Sequence, residues 1–499
     1  MAIDLTKDLF KASTDYRDPK FDRMLSNLQG NILKGHGRNH TQHIFIQFDT
    51  NKLNKTKAWL KSFGKKKVTS CKKQLLETER FKRNGVSGDT FFGIYFTFAG
   101  YEYLLEEEVT KFSDGSFING MKNAELNDPE TTEWEAGFQE TIHAMILIAD
   151  SDENKLALAA KEIIQEIDLQ LIPEVSNTAF AKICTIEYGN AIRNANGDGL
   201  EHFGYVDGIS QPLFFFDEVK DNKDANTDKV FFDPSATLDL VLVDDPFVNK
   251  QDAFGSYFVF RKLEQRVRSF KTAEKELATK LDLQGDDAEL AGAMIVGRFE
   301  DGTPVNMHKE AGMISSGITN NFNYKNDHGD ENDGSKCPFH SHIRKANPRR
   351  DDNDKKHIMA RRGIPYGRRD VSTEIDPSIP QMPDGGVGLL FMSFQKSIEN
   401  QFEFIQKTWV NDVNFPSDRV DALDLSKKPP TKVTIPSGID PIIGQDAHSS
   451  TNHGNTNKST GAFASEYNNP ATLSKCTFDQ FVHLKGGEYF FAPSIAFLK

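Results

Sequence analysis

Residues 141–149, TIHAMILIA, run directly into residues 150–167, DSDENKLALAAKEIIQEI. The first piece is almost wholly apolar and reads as a buried strand. In the second, Leu156, Ala159, Ala160, Ile163, Ile164 and Ile167 recur at helical spacing. Asp150 and Glu153 stand where a capping box would open that helix. The neighbouring sequence completes a unit. Upstream, residues 43–49 (HIFIQFD) alternate apolar and polar as a half-buried strand does, residues 52–63 have a helical pattern, and residues 90–98 (TFFGIYFTF) read as a buried strand. Downstream, a closing strand is expected near residues 169–172 or slightly later. The order strand, helix, strand, strand, helix, strand is the ferredoxin-like split pattern, an antiparallel sheet covered by helices on one face.

The second half repeats this order with longer insertions. Residues 256–261 (SYFVFR) read as a strand. Val267, Phe270, Ala273, Leu277 and Leu281 place a helix after it. Residues 357–361 and 388–395 (GLLFMSFQ) supply the middle strands, residues 402–409 a second helix, and residues 487–492 (GEYFFA) the closing strand. The repetition is of pattern, without sequence similarity between the halves. The expectation is an α+β chain of two ferredoxin-like domains, residues 1–195 and 196–499.

The length of 499 residues agrees, since it exceeds what one ordinary core holds. Lys and Arg total 60 against 73 Asp and Glu, a formal charge of −13. That balance argues against nucleic acid or an anionic membrane as the main partner. The 39 Phe residues can fill substantial cores. No run of about 18 apolar residues suggests a membrane span. The opening MAIDLTKDLFK has neither an apolar signal region nor a twin Arg, which points to the cytoplasm. Cys71, Cys184, Cys337 and Cys476 are far apart, with no CxxC, as suits a reducing compartment. Residues 319–336 are dense in Asn, Asp and Gly. Their DENDG run is similar to a calcium loop, but the ligand spacing does not match. Residues 447–465 read as a polar, mobile surface loop.

Three short stretches can carry chemistry. Residues 337–350, CPFHSHIRKANPRR, hold His340 and His342 two positions apart. With Cys337 they suit zinc or non-haem iron; the bland reading is a basic loop with incidental histidines. Residues 204–212, GYVDGISQP, place glycines on both sides of Asp207, a tight backbone that fixes one carboxylate. Residues 361–367, RRGIPYG, read alone as a solvated corner. Taken together, an Asp, a His and an Arg in Gly- or Pro-fixed segments are what a haem peroxidase requires: one His for iron, a carboxylate to move a proton, and an Arg to hold charge on peroxide.

At this point the chain resembles the dye-decolourising peroxidase family. The GxxDG signature stands as Gly204 to Gly208 and continues into Ile209-Ser210-Gln211-Pro212. The proximal segment stands as Cys337 to Arg349 and the distal segment as Arg361 to Gly367. Further matches are residues 28–38 (LQGNILKGHGR), residues 388–391 (GLLF), Phe404-Ile405-Gln406 with Trp409, and residues 484–493 (LKGGEYFFAP). The resemblance runs from about residue 24 to the C-terminus. It implies two ferredoxin-like domains with one haem b per chain, held mainly by the second, and oxidation of dyes, phenols and related aromatic reductants by hydrogen peroxide through a ferryl haem.

The resemblance also implies roles. His342 is the proximal iron ligand. His340 departs from the family's small residue and would line the haem edge or face solvent. Asp207 moves the proton between the peroxide oxygens, and Arg361, rather than Arg362, holds the charge. Arg349 and Arg344 would pair with haem propionates. Gly208, Ile209, Leu389 and Phe391 would contact the haem, the last two as apolar walls. Glu403 stands as a candidate acidic partner of the proximal His. Trp409 stands either as a surface electron donor or as helix core. Two other readings remain open: a haem-handling protein with little turnover, and a zinc or non-haem iron hydrolase on Cys337, His340 and His342.

Overall fold

The computed structural model describes residues 3–7, 17–168, 179–226, 229–313, 319–326, 332–369, 378–445 and 458–499. The first half builds β1 (His40–Phe48), α1 (Leu53–Lys66), α2 (Cys71–Asn84), β2 (Phe91–Phe96), β3 (Ala144–Asp150), α3 (Glu153–Ile167) and β4 (Ala181–Asn190). Every residue of β2 and β3 is buried, as their unbroken apolar runs require. α3 begins two residues later than the capping box suggests. Its cap is Asp152, whose carboxylate accepts from the N–H groups of Asn154 and Lys155, while Asp150 Oδ1 accepts from Asp152 N. The closing strand is β4; the expected position at residues 169–172 lies outside the described residues.

The second half builds β5 (Phe254–Gln265), α4 (Val267–Lys280), α5 (Glu289–Val296), α6 (His342–Ala346), β6 (Ala360–Arg361), β7 (Ile364–Tyr366) and β8 (Gly388–Gln395). Two π-helical segments, Ile398–Glu403 and Ile405–Val410, follow where a single helix was expected. A small sheet of β9 (Val420–Asp424), β10 (Thr431–Ile435), β11 (Lys458–Ala464) and β12 (Leu473–Asp479) precedes the last strand, β13 (Val482–Ala492). β11 corrects the reading of residues 447–465 as one loop. Residues 458–464 pair with β12 through a full antiparallel ladder, and residues 446–457 lie outside the described residues. The middle strand expected at residues 357–361 is reduced to β6, and β7 takes its place at the edge of the sheet.

The strands join in the order β7-β8-β5-β13-β2-β3-β1-β4. Each half has the same internal arrangement: its fourth strand lies beside its first, then come its third and second. These are two ferredoxin-like units joined edge to edge. The join between β13 and β2 is a single pair, Phe491 opposite Phe96. At the other edges Gly189 of β4 lies against Ile364 of β7, where a Cβ would stand 2.5 Å from Ile364 Cγ2. Between the halves the core is aromatic: Phe45 meets Phe138 and Phe260 edge-on, at centroid distances of 5.1 and 4.8 Å.

Candidate active site

Strands β5 and β8 of the second unit form one wall of a cavity. Register places Leu389 opposite Leu263 and Phe391 opposite Arg261, and all four line it. Leu390 and Met392 point to the other face and are wholly buried, as strand alternation demands. Leu389 and Phe391 thus stand on the cavity wall.

A hairpin supplies the acid. Asp207 N donates to Gly199 O, Glu201 N donates to Tyr205 O, and Gly204 N closes the turn onto Glu201 O. Gly204 and Gly208 adopt φ of +104° and +83°, conformations that strain any residue with a Cβ. Nothing else crowds Gly208, so glycine is required there by backbone shape alone. Asp207 Oδ1 accepts from Gly208 N at 2.6 Å and stands 3.8 Å from Arg361 Nη1. Arg361 is fixed by its Nη2 donating to Ile209 O at 2.8 Å, and its N–H donates to Gln211 Oε1. Asp207 and Arg361 each keep about a third of the side chain open, at 34% and 35%. Asp207, Gly208, Ile209 and Arg361 all line the cavity.

The same cavity is lined by His342 on α6. Its Nδ1 is bonded to Asp440 Oδ2 at 2.8 Å, which leaves Nε2 to the cavity. Asp440 is wholly buried, and its Oδ1 accepts from the N–H groups of Ile442 and Ile443 at 2.7 and 3.0 Å. Burial alone would raise the Asp440 carboxyl's pKa, but the His342 ring and these amides outweigh it and hold the carboxyl below its ordinary range. Burial alone would lower the pKa of the His342 ring; Asp440 outweighs that and raises it.

Asp440 corrects the reading of Glu403. The Glu403 carboxylate accepts from Tyr489 Oη at 2.9 Å and from Lys407 Nζ at 2.8 Å instead. The signal for Asp440 was present: an acid inside the apolar run Ile439–Ile443 must be paired if that run is buried. Arg344 is corrected too. It is fully buried and does not line the cavity; its guanidinium donates to Asn332 Oδ1 and Cys337 O and stacks over Phe339 at 4.3 Å. Arg349 does line the cavity. Arg362 is spent on the backbone of Asn31, Ile32 and its own neighbour Arg361.

His340 neither lines the cavity nor faces solvent. Its ring is 1% exposed, lies edge-on to Phe463 at 4.7 Å, and sits over Gly461. Burial lowers its pKa to about 3. Among the described residues no group of three His, Cys, Asp or Glu is placed to hold a metal ion, so the site expected from Cys337, His340 and His342 is not assembled. Trp409 is buried and stacks on Phe415 at 5.6 Å. No helix among the described residues is long and apolar enough to cross a membrane.

Comparison with known proteins places this fold in one class. Residues 27–182 match the DyP dimeric alpha+beta barrel domain, and residues 234–428 match the C-terminal domain of Dyp-type peroxidases. The chain belongs to the dye-decolourising peroxidase family, whose members are haem-dependent oxidoreductases acting on peroxide. It is 39% identical to the multifunctional dye peroxidase DyP2 of an Amycolatopsis species, over all of both chains. The solved structure of that DyP2 superposes with a TM-score of 0.84 at 38% identity, covering 99% of each chain. An Anabaena DyP-type peroxidase superposes with a TM-score of 0.82 at 39% identity, covering 97% of this chain and 96% of its own.

Proposed function

We propose that this chain binds one haem b and uses hydrogen peroxide to oxidise dyes, phenols and related aromatic reductants. We further propose that its two domains divide near residues 195 and 196. The single observation behind the chemistry is that His342, backed by Asp440, and the Asp207–Arg361 pair line one apolar-walled cavity. The residues suit haem. His342 has one nitrogen fixed and the other open to the cavity. The walls at Ile209, Leu389 and Phe391 are apolar, and Arg349 has a buried Nε with no partner among the described residues.

When bound, the haem supplies an iron that takes oxidising equivalents from peroxide. His342 Nε2 would hold that iron. Asp440 fixes the ring's tautomer and orientation and makes it a stronger donor. Asp207, in its ionised form, takes the proton from one peroxide oxygen and returns it to the other, which leaves as water. Arg361 holds the negative charge that develops as the O–O bond breaks. The apolar walls exclude water and so strengthen both charges. Gly208 and Ile209 line the cavity and would contact the haem, and Arg349 would pair with a propionate.

Stopped-flow optical spectroscopy of the haem-loaded protein against equimolar peroxide tests this reading. The wild type should change its Soret band fast, and Asp207→Asn should be slower by roughly 10²- to 10⁴-fold. Equal, slow changes in both would replace the peroxidase by a haem-handling protein. A wild type that takes up no haem would overturn both readings.

A further inference from the structure

Four guanidinium groups line the cavity, and two of them lack an anionic partner among the described residues. Arg261 is paired with Asp128 at 2.5 and 2.7 Å, and Arg361 stands 3.8 Å from Asp207. Arg298 and Arg349 are only 5% and 8% exposed. Among the described residues neither has a carboxylate in ion-pair range; each meets neutral acceptors. Arg298 Nη1 donates to Gly302 O and Thr319 O. Arg349 donates to Asn320 O, Phe322 O, Asn320 Oδ1 and Ser210 Oγ. Among the described residues its Nε is buried without a partner, and so is the hydroxyl of Tyr324, a residue 1% exposed.

These groups share one corner. The Phe322 ring lies beneath Arg349 at 4.2 Å, near Arg298 at 5.4 Å, and edge-on to Tyr324 at 5.4 Å. All three polar residues line the cavity. Two buried positive charges and two unused donors are costly unless something anionic meets them. Burial accordingly pushes the guanidinium groups down, Arg349 to about 9 and Arg298 to about 10. The other carboxylates on the cavity wall are Glu201, spent on backbone N–H groups and Gln265, and Asp207, beside Arg361.

We propose that this corner is a receptor for two carboxylates of the ligand, in which Arg349 takes one haem propionate and Arg298 with the Tyr324 hydroxyl takes the other. The proposal rests on the haem reading above and adds Arg298 and Tyr324 to it. No covalent step is involved. The phenol and both guanidinium groups donate to carboxylate oxygens, and charge-assisted bonds of this kind are the strong ones.

The test is the rate at which haem leaves the holoenzyme for an excess of a haem-scavenging apoprotein, followed in the Soret band. Tyr324→Phe keeps the ring and should shed haem about 10-fold faster. Arg298→Gln should do so by roughly 10- to 100-fold. Wild-type protein loaded with haem dimethyl ester, which lacks both charges, should lose it at least about 100-fold faster than haem, and this arm needs no substitution. Tyr324→Phe should leave the ester's rate unchanged. The proposal is overturned if Tyr324→Phe sheds haem at the wild-type rate, if it speeds loss of the ester equally, or if the wild type holds ester and haem alike. A wild type that retains no haem at all would sink the haem reading itself.

Discussion

At Arg361 the guanidinium reaches Ile209 O and stands beside Asp207, whereas at Arg362 three donor groups are consumed by backbone carbonyls. Substituting each should therefore fail in a different way. Arg361→Leu should melt within a degree or two of the wild type and react with peroxide roughly 10²- to 10³-fold more slowly. Arg362→Leu should lose about 1–3 kcal/mol of stability, because buried carbonyls of Asn31 and Ile32 lose their donor. Normal peroxide kinetics in Arg361→Leu would reverse the assignment. Glu201 carries a second expectation. Burial raises its carboxyl to about 6, with Asp207's charge adding to the effect. An unfolded Glu titrates near 4.3, so between those values the folded protein holds the extra proton. Its contribution is full below about pH 4 and is lost as pH rises through about 6, an effect of about 2 kcal/mol. Glu201→Gln should gain that much on the wild type between pH 4 and pH 8 in denaturant titrations; a constant gap would refute the shift. Asp207, His342 and Arg361 stood out only when their three segments were taken together and set beside the family they resemble; read singly, each segment has an ordinary structural explanation. Asp440 was harder to read, because it lies 98 residues along the chain from His342 and its only signal is an acid inside an apolar run.

Elements were legible in proportion to their apolar runs. β2 and β3 are read directly because every position is buried. β7 is three residues long with a Pro inside it, too short for any periodicity, so the sheet edge was assigned to residues before it. β11, KSTGAFA, has a polar start like that of a loop, and only its pairing with β12 makes it a strand. That strand explains His340. Gly461 lies on β11, and a Cβ there would stand 1.9 Å from His340 Cε1. Gly461→Ala should then cost about 1–3 kcal/mol by overpacking. Adding His340→Ala removes the ring that is struck, so the double variant should be less destabilised than the sum of the two single changes. Strict additivity in thermal melts would show that His340 is not packed there and would reopen its reading as a ligand.

At the scale of the molecule, the repetition of pattern predicted two like units but not how they join. The reason is physical: the strand join is one pair, Phe491 with Phe96, and the rest is backbone and side-chain contacts between unrelated segments, such as Glu135 N donating to Lys485 O. Gln29 bonds to both backbone groups of Ile94 in the first unit and to Pro493 O after the last strand. Arg261 on β5 forms a two-pronged pair with Asp128, 133 residues earlier, with both side chains under 10% exposed. Such a buried pair gives little net stability compared with apolar residues of the same volume, yet breaking one side of it leaves a bare charge. Arg261→Met should cost about 3–5 kcal/mol, whereas Arg261→Met with Asp128→Leu should recover most of that. Arg261 also lines the cavity opposite Phe391, so the single variant should lose haem along with its melting temperature, and the double variant should regain both together. If the double variant recovers stability but still sheds haem, the pair's service is to the cavity wall; if neither returns, the two units are held by the strand join and the aromatic core instead.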